Sequence, residues 1–332
     1  MRQILKSKEA PILGITILLM IVISIINPVF IRIDNVMDVL KSNSVLGIIA
    51  CGMLLAIITG GIDLSVSAMI AACTVIVGNM LIKVSDSILL VFVVSVICGG
   101  VMGLINGLLV SRIKIPPIVV TLGTMSIFNG IVRYTTNGKW ITDIPKKFLN
   151  FGRLRLFNIP VPNTEQTTGI PIQIFFTIAV ALLTWFILKY TLFGRGVYSI
   201  GGNLISAERI GYNIKKIQMM LYAYIGMLAG LAGVVHNSIM VQVDPNVFGG
   251  FEMQVVAAVV LGGANIAGGY GSVFGTMIGV VFLAVSNNGL VLMKIPTFWQ
   301  QIVVGSIIVI AVSVDAIQRT SIEKRRTRVD VE

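Results

Sequence analysis

The chain has 332 residues, a formal net charge of +11 and a mean hydropathy of +0.95. Only 12% of the residues are charged and 56% are hydrophobic, which excludes a soluble domain of ordinary composition and indicates an integral membrane protein. The basic residues are spread over loops and the tail rather than gathered on one face, so nucleic acid is not an expected partner.

Apolar blocks recur along the whole chain, and a helix needs roughly 20 mostly apolar residues to cross a bilayer. The first block follows a basic start, and no small-residue cleavage site comes after it, so we interpret it as a retained helix rather than a signal peptide. The sequence predicts about ten spans, at residues 11–28, 39–59, 64–82, 88–110, 117–135, 172–190, 217–238, 252–270, 271–290 and 298–317. The predicted fold is an all-α, polytopic membrane protein, with residues 1–332 forming a single transmembrane domain.

The distribution of Lys and Arg predicts the orientation. An even number of spans places both termini on one side, and most basic residues lie in the inner segments when that side is the cytoplasm. We therefore expect an N-in, C-in protein of the cell (cytoplasmic or inner) membrane. Residues 193–216 are then a cytoplasmic loop, residues 136–171 an extracytoplasmic loop, and residues 318–332 a basic cytoplasmic tail.

Glycine-rich stretches interrupt the apolar blocks in both halves of the chain. Gly60 and Gly61 precede Asp63 in ITGGIDLSVSA, and seven glycines follow a short apolar piece in EMQVVAAVVLGGANIAGGYGSVFGTMIG. Broken helices at membrane depth are tolerated where the backbone is buried in protein or lines a wet cavity. Interruptions in both halves indicate a transport site.

Polar side chains inside apolar spans normally face the bundle interior or a wet cavity, so they are candidates for lining a transport pathway. The candidates are Asp63, Asn106, Thr121, Asn129, Asn288 and Gln300. Asp63 and Glu252 are ionisable groups in the apolar blocks and are therefore functional candidates. Asp63 could instead cap the next helix, and Glu252 could instead stabilise the start of its own helix. The sequence shows no nucleophile–base constellation, metal-ligand spacing or GxxxxGK(S/T) loop, so it predicts neither an enzyme nor a cofactor.

Glycines also recur at four-residue spacing, at Gly103 and Gly107, at Gly226 and Gly230, and at Gly271, Gly275 and Gly279. In lipid, small residues at this spacing let helix backbones approach closely. We expect these faces to pack within the chain, with dimerisation through one of them as the alternative.

A long polar insert, FGRGVYSIGGNLISAERIGYNIKK, occupies residues 193–216. Connections in helical bundles usually contain about 2–8 residues, so this insert is longer than a linker requires. We expect a short helix from about Leu204 to Ile210 that ends at Gly211 and fits a groove on a partner protein. The alternative is an amphipathic helix on the membrane surface. The residues expected at the partner contact are Arg195, Gly202, Asn203, Ala207, Glu208, Arg209 and Gly211.

Four stretches carry a resemblance to a known family, and they occur in the family's order: GGIDLSVSA, GLINGLLVSRIKIPPIVVTLGTMSIFNGI, FGRGVYSIGGNLISAERIGYNIKKIQ and AAVVLGGANIAGGYGSVFGTMIG. On these motifs the chain resembles, nearly end to end, the membrane permease subunits of ABC importers for monosaccharides. This family includes ribose-, xylose-, rhamnose- and autoinducer-2-type members, and NGKWITDIPKKF at 137–148 looks most like the last two. Two short stretches depart from the family pattern, Ala207-Glu208 after GGN and SVSA at 65–68.

The resemblance implies a permease subunit that passes a simple sugar or sugar-like molecule, of the rhamnose or autoinducer-2 type, into the cytoplasm. It implies three protein partners: an extracytoplasmic sugar-binding protein, a second permease copy or paralogue, and a cytoplasmic ATP-binding subunit that grips the 193–216 loop. The alternative is an ion-coupled secondary carrier for a small polar solute. Such a carrier would need an ion site or a proton relay, and the acidic residues in the spans are few and unpartnered in sequence.

Overall fold

The computed structural model describes residues 9–160 and 167–300 except 297, together with residues 302, 303, 305, 306 and 309. Within these residues the chain forms thirteen α-helices and one two-stranded antiparallel sheet. The helices are α1 (Ala10–Ile26), α2 (Ile33–Ser42), α3 (Ser44–Ile58), α4 (Val66–Lys83), α5 (Ile88–Arg112), α6 (Pro117–Thr136), α7 (Lys146–Gly152), α8 (Ile172–Tyr190), α9 (Leu192–Gly202), α10 (Leu204–Arg209), α11 (Ile214–Ile239), α12 (Phe251–Leu261) and α13 (Val273–Leu292). The strands are β1 (Arg155–Pro160) and β2 (Thr167–Pro171).

Six helices in the described part of the chain are long and apolar enough to cross a membrane: α4, α5, α6, α8, α11 and α13. Helices α2 and α3 pass the same test together as one span that is bent by 46°. The predicted all-α, polytopic membrane fold is therefore confirmed. The number of ten spans and the N-in, C-in orientation remain predictions. Most of the predicted span 298–317 and all of the predicted tail 318–332 lie outside the described residues.

Two predicted spans have a different form in the structure. The span at 39–59 divides at Asn43 into the end of α2 and the whole of α3. The span at 252–270 is helical only as far as Leu261, because residues 262–272 form a non-helical segment, here called the glycine loop. With 11 residues, α12 is roughly 16 Å long, about half the thickness of a bilayer core.

Backbone conformation explains why the helix does not continue through the glycine loop. Gly263, Gly268 and Gly269 have φ angles of +88°, +92° and +79°, which residues with a side chain rarely adopt. The predicted glycine-rich interruption is thus a real break in the helix.

Helix α3 lies at the centre of the bundle. All of its residues are buried, and it contacts α8, α11, α12 and α13. A helix that is hydrophobic on every side is typical of such a position. In α5, α6 and α8, by contrast, only 22–28% of the spanning window is buried, so these helices form the perimeter.

The glycine faces pack within the chain, as expected. A Cβ added at Gly103 of α5 would overlap the carbonyl oxygen of Tyr222 on α11, and one at Gly226 would overlap the carbonyl oxygen of Gly99. A Cβ at Gly275 of α13 would overlap a carbonyl oxygen of the glycine loop in the same way. Helix backbones touch directly at both crossings, which only glycine permits.

Candidate functional site

A buried polar cluster lies where the turn after α3 meets α5. Asp63 is fully buried, and its Oδ1 accepts hydrogen bonds from the backbone N–H and the hydroxyl of Ser65, at 2.9 and 2.6 Å. The amide of Asn106 donates to the same Ser65 hydroxyl oxygen at 2.8 Å. Ser65, rather than Asp63, occupies the N-cap position of α4. It links the carboxylate in the turn to α5.

Two oxygens of this cluster, Asp63 Oδ2 and Asn106 Oδ1, have no hydrogen-bond partner among the described residues. Buried polar groups are normally paired, and an unpaired one costs about 1–3 kcal/mol. Both oxygens are therefore placed to accept a hydrogen bond from water or from a polar solute.

Helix α6 contributes two further candidates. Thr121 is fully buried, and its hydroxyl donates to the Pro117 carbonyl at 2.9 Å and lies 3.4 Å from the carbonyl of Ile62, the residue before Asp63. Asn129 lies about two turns further along the helix and is half-buried. The structure thus brings Asp63, Asn106 and Thr121 together, with Asn129 on the same helix as Thr121.

The remaining two pathway candidates lie elsewhere. Asn288 exchanges two amide hydrogen bonds with Asn35 of α2, both of 3.1 Å. Gln300 donates to the Ile295 carbonyl at 3.0 Å. Helix α13 starts next to the glycine loop, and Asn288 lies roughly 22 Å along it at about 1.5 Å per residue. The structure therefore separates these two residues from the Asp63 cluster.

Glu252 lies in the first turn of α12 and is only 6% exposed. Its Oε2 has no hydrogen-bond partner among the described residues. The carboxylate is at the positive end of the α12 dipole, which favours a negative charge. This agrees with the alternative that Glu252 stabilises the start of its helix.

The polar insert at 193–216 forms two helices, α9 and α10. Helix α10 occupies the predicted region, and Asn203 caps its start by accepting the Ser206 N–H at 2.8 Å. Gly211, with a φ of +95°, ends it. Helix α9 is not predicted by the sequence, because its segment LFGRGVYSIGG contains four glycines and glycine disfavours helices.

The side of α10 that faces away from the helix bundle is exposed and accessible to a partner. Glu208 and Arg209 are exposed, and they are accompanied by exposed apolar side chains at Leu204, Ile205 and Ile210. Six of the seven residues predicted at the partner contact are exposed, namely Arg195, Gly202, Asn203, Glu208, Arg209 and Gly211. The seventh, Ala207, is 1% exposed and packs into the core, so it anchors α10 to the bundle instead of facing a partner.

Helix α9 joins this face to the interrupted spans. The Tyr198 hydroxyl donates to the Gly271 carbonyl at 2.7 Å, and the Gly269 N–H donates to the Ile58 carbonyl at 2.8 Å. A Cβ at Gly201 would overlap that Ile58 carbonyl oxygen. Burial raises the pKa of the Tyr198 hydroxyl above its ordinary value, so the group remains a neutral donor.

Two residues of these sites are missed by sequence reasoning. Ser65 carries a detectable signal, because an Asp two residues before a backbone N–H is typical of an Asx-turn. Tyr198 carries none, because its acceptor is a backbone carbonyl 73 residues away in the sequence.

A bundle of apolar spans with a buried polar cluster inside and the exposed short helix α10 outside the spans is consistent with a transport permease. Residues 35–312 match the family described as branched-chain amino acid transport system / permease component. The chain belongs to this family and is a membrane permease subunit of an ABC importer.

Several curated proteins are similar over nearly their whole length. The chain is 38% identical over 310 residues to the ribose import permease protein of Bacillus subtilis (strain 168), covering 93% of this chain and 92% of that protein. It is 33% identical over 300 residues to the ribose import permease protein of Escherichia coli (strain K12), covering 90% and 91%. It is 34% identical over 303 residues to the autoinducer 2 import system permease protein of Photorhabdus luminescens, covering 91% and 88%. No solved structure matches the chain.

Family membership confirms the predicted class, a multi-pass membrane protein of an import system, and nothing supports the ion-coupled carrier. The family is one of transport permeases and not of enzymes. Permeases of ABC importers act with an ATPase and with a substrate-binding protein, so both are partners of this chain.

Proposed function

We propose that the chain passes a monosaccharide or a sugar-like molecule from its binding protein into the cytoplasm. The similar permeases are named for import of ribose and autoinducer 2, and a further one, 32% identical over 286 residues, for D-allose transport. These names support a small, polyhydroxylated type of substrate, with the autoinducer-2 or rhamnose type as the particular candidate suggested by residues 137–148.

The observation that carries the proposal is the exposed, rigidly held α10. Asn203 caps its start, Gly211 ends it, and Ala207 fixes one side of it in the core. A helix held at both ends transmits force better than a flexible loop, and an exposed charged pair framed by apolar side chains suits a groove. We assign α10 as the segment that the cytoplasmic ATPase grips.

The Asp63 cluster is the proposed inner part of the substrate pathway. Asp63 Oδ2 and Asn106 Oδ1 are acceptors without a hydrogen-bond partner among the described residues, and a sugar hydroxyl is a suitable donor. Asn129 continues this polar surface along α6, whereas Asn288 and Gln300 belong to the opposite end of the pathway.

A second permease copy or a paralogue is proposed to pack against α6. Gly123 and Gly130 lie on its exposed side, and a Cβ at either position would meet none of the described residues within 4 Å. Small residues on a perimeter helix allow another helix to approach closely. Because α6 also carries Thr121 and Asn129, this arrangement would place the pathway next to the contact between the two permeases.

The experiment that tests the ATPase contact reverses both charges on α10, with Glu208→Arg and Arg209→Glu in one variant. Removing one partner of a desolvated charge pair typically costs about 2–5 kcal/mol, which weakens binding roughly 30-fold or more. The variant should insert in the membrane, and the binding protein should still dock outside. ATPase co-purification and sugar uptake, measured in the same vesicles, should both fall.

The matched control reverses two exposed opposite charges elsewhere, Arg32 and Asp34, which form an ion pair of 2.8 Å on the predicted outer side. This control should retain its ATPase and its uptake. Full transport by the α10 variant with the ATPase bound as before would show that α10 is only a surface helix.

A further inference from the structure

We infer that Tyr198 is a positioning residue that couples movement of α9 and α10 to the glycine loop and to the turn that follows α3. The inference rests on the proposed function, because it assumes that an ATPase holds α10 and moves it. It concerns how that movement enters the membrane, which neither the fold nor the family assignment specifies.

Three stretches of backbone meet at the end of α9. A Cβ at Gly201 would overlap the Ile58 carbonyl oxygen and lie 2.5 Å from the Gly269 nitrogen. A Cβ at Gly268 would lie 3.0 Å from both the Gly201 oxygen and the Gly60 nitrogen. The nearest atoms at both positions are backbone atoms, which cannot absorb a displacement by changing rotamer. When α9 moves toward them, the turn after α3 and the glycine loop must move with it.

Steric contact of this kind transmits a push but not a pull. A pull needs an attractive link, and within the described residues Tyr198 is the side chain of α9 that hydrogen bonds outside its own helix. Its hydroxyl holds the Gly271 carbonyl at 2.7 Å, one turn before the contact made by Gly201. The Gly269 N–H bond to the Ile58 carbonyl then ties the glycine loop to the end of α3.

Both loops lead directly to functional elements. Gly271 is followed by Ser272, which caps α13 by accepting the Gly275 N–H at 3.0 Å, so a shift at Gly271 moves the start of α13. Ile58 is followed by the turn that ends in Asp63, where Ser65 makes the link to α5. One hydrogen bond from α9 therefore reaches α3, α13 and the polar cluster.

The test is Tyr198→Phe, which keeps the ring and removes only the hydroxyl. The control is Tyr212→Phe, because Tyr212 lies in the same insert, is half-buried, and its hydroxyl has no hydrogen-bond partner among the described residues. The complete importer, with ATPase and binding protein, is reconstituted in vesicles. Uptake of labelled ribose is measured together with ATP hydrolysis, and ribose is replaced by the sugar recovered from the binding protein if that sugar differs.

We expect Tyr198→Phe to lower the amount of sugar imported per ATP about fivefold, the change in an equilibrium that one neutral hydrogen bond typically produces. Assembly with the ATPase and the rate of ATP hydrolysis should remain as in the wild type, and Tyr212→Phe should be normal throughout. If the Gly201→Ala permease assembles with the ATPase, it should show the same lowered ratio of sugar to ATP. If it does not assemble, Tyr198→Phe alone tests the inference.

Two results would overturn the inference. One is an unchanged ratio of sugar to ATP in Tyr198→Phe. The other is a parallel loss of uptake, hydrolysis and assembled complex, which would give the hydrogen bond an ordinary structural role. Failure of the proposed function is distinct from both, because the wild-type complex would then show no ATP-driven sugar uptake at all.

Discussion

Substitution of Gly103 by Ala tests the direct backbone contact between α5 and α11. The added Cβ would overlap the Tyr222 carbonyl oxygen and lie 2.9 Å from its carbonyl carbon and 3.0 Å from the Gly226 Cα. All three obstacles are backbone atoms inside a helix, so none can turn away. The two helices must separate, and a gap of roughly 0.5–1 Å already forfeits a quarter to a half of each van der Waals contact.

The magnitude follows from two opposing terms. Overpacking in a well-packed interior typically costs about 1–3 kcal/mol, and an obstacle made of backbone belongs at the upper end, about 3 kcal/mol. Alanine is favoured over glycine inside a helix by up to about 1 kcal/mol, which offsets part of this cost. The net destabilisation of Gly103→Ala is therefore about 2 kcal/mol.

The assay is thermal unfolding of the purified, detergent-solubilised permease. Samples are heated to a series of temperatures, and the folded fraction that remains is measured by size-exclusion chromatography. For a chain of 332 residues, with an unfolding entropy of about 2.1 cal/mol/K per residue, a loss of about 2 kcal/mol corresponds to a fall in apparent Tm of about 3 °C. The control is Gly14→Ala in α1, where a Cβ would meet no atom of the described part of the chain within 4 Å, so its Tm should be unchanged or slightly higher. Equal Tm values for the two variants would refute the backbone contact.

Gly275→Leu should have a larger effect, because its side chain would overlap the Gly262 carbonyl oxygen where α13 crosses the end of α12. This variant should yield less folded protein. Normal assembly and sugar transport by the variant would contradict the proposed packing. For the pathway, cysteines placed singly at the polar candidates should react with small water-soluble thiol reagents during turnover, with Asn129→Cys the most accessible of those near the Asp63 cluster because Asn129 is half-buried and not fully enclosed. Uniform inertness at all six candidates would remove the pathway assignment and leave caps and packing.

Local chemistry is what made much of this protein predictable from its sequence. Hydrophobic length identifies a span wherever the chain is uniformly apolar, because the bilayer requires it regardless of the neighbours. Helix α10 is equally predictable from the sequence, because Asn203 and Gly211 mark its ends through hydrogen bonds to residues only three positions away. The break after Leu261 was visible for the same reason, as glycine alone adopts the required φ angles.

Helix α9 shows where local reasoning failed. Four glycines in eleven residues disfavour a helix, yet the segment is helical because Gly201 fits against the Ile58 carbonyl and Gly194 and Gly196 pack closely against neighbouring residues. Tertiary packing thus overrides intrinsic propensity, and the same glycines that weaken the helix permit its contacts.

Only the tertiary structure decided how the polar residues group. Sequence composition singles out Asp63, Asn106, Thr121, Asn129, Asn288 and Gln300 equally, because each is a polar group in or beside an apolar block. Their partners lie far along the chain: Asn106 bonds Ser65 across 41 residues, and Asn288 bonds Asn35 across 253. Hydropathy indicates whether a residue prefers an apolar or a polar environment. Contact between residues distant in sequence depends instead on which helices are neighbours, and the packing of the whole bundle determines those neighbours.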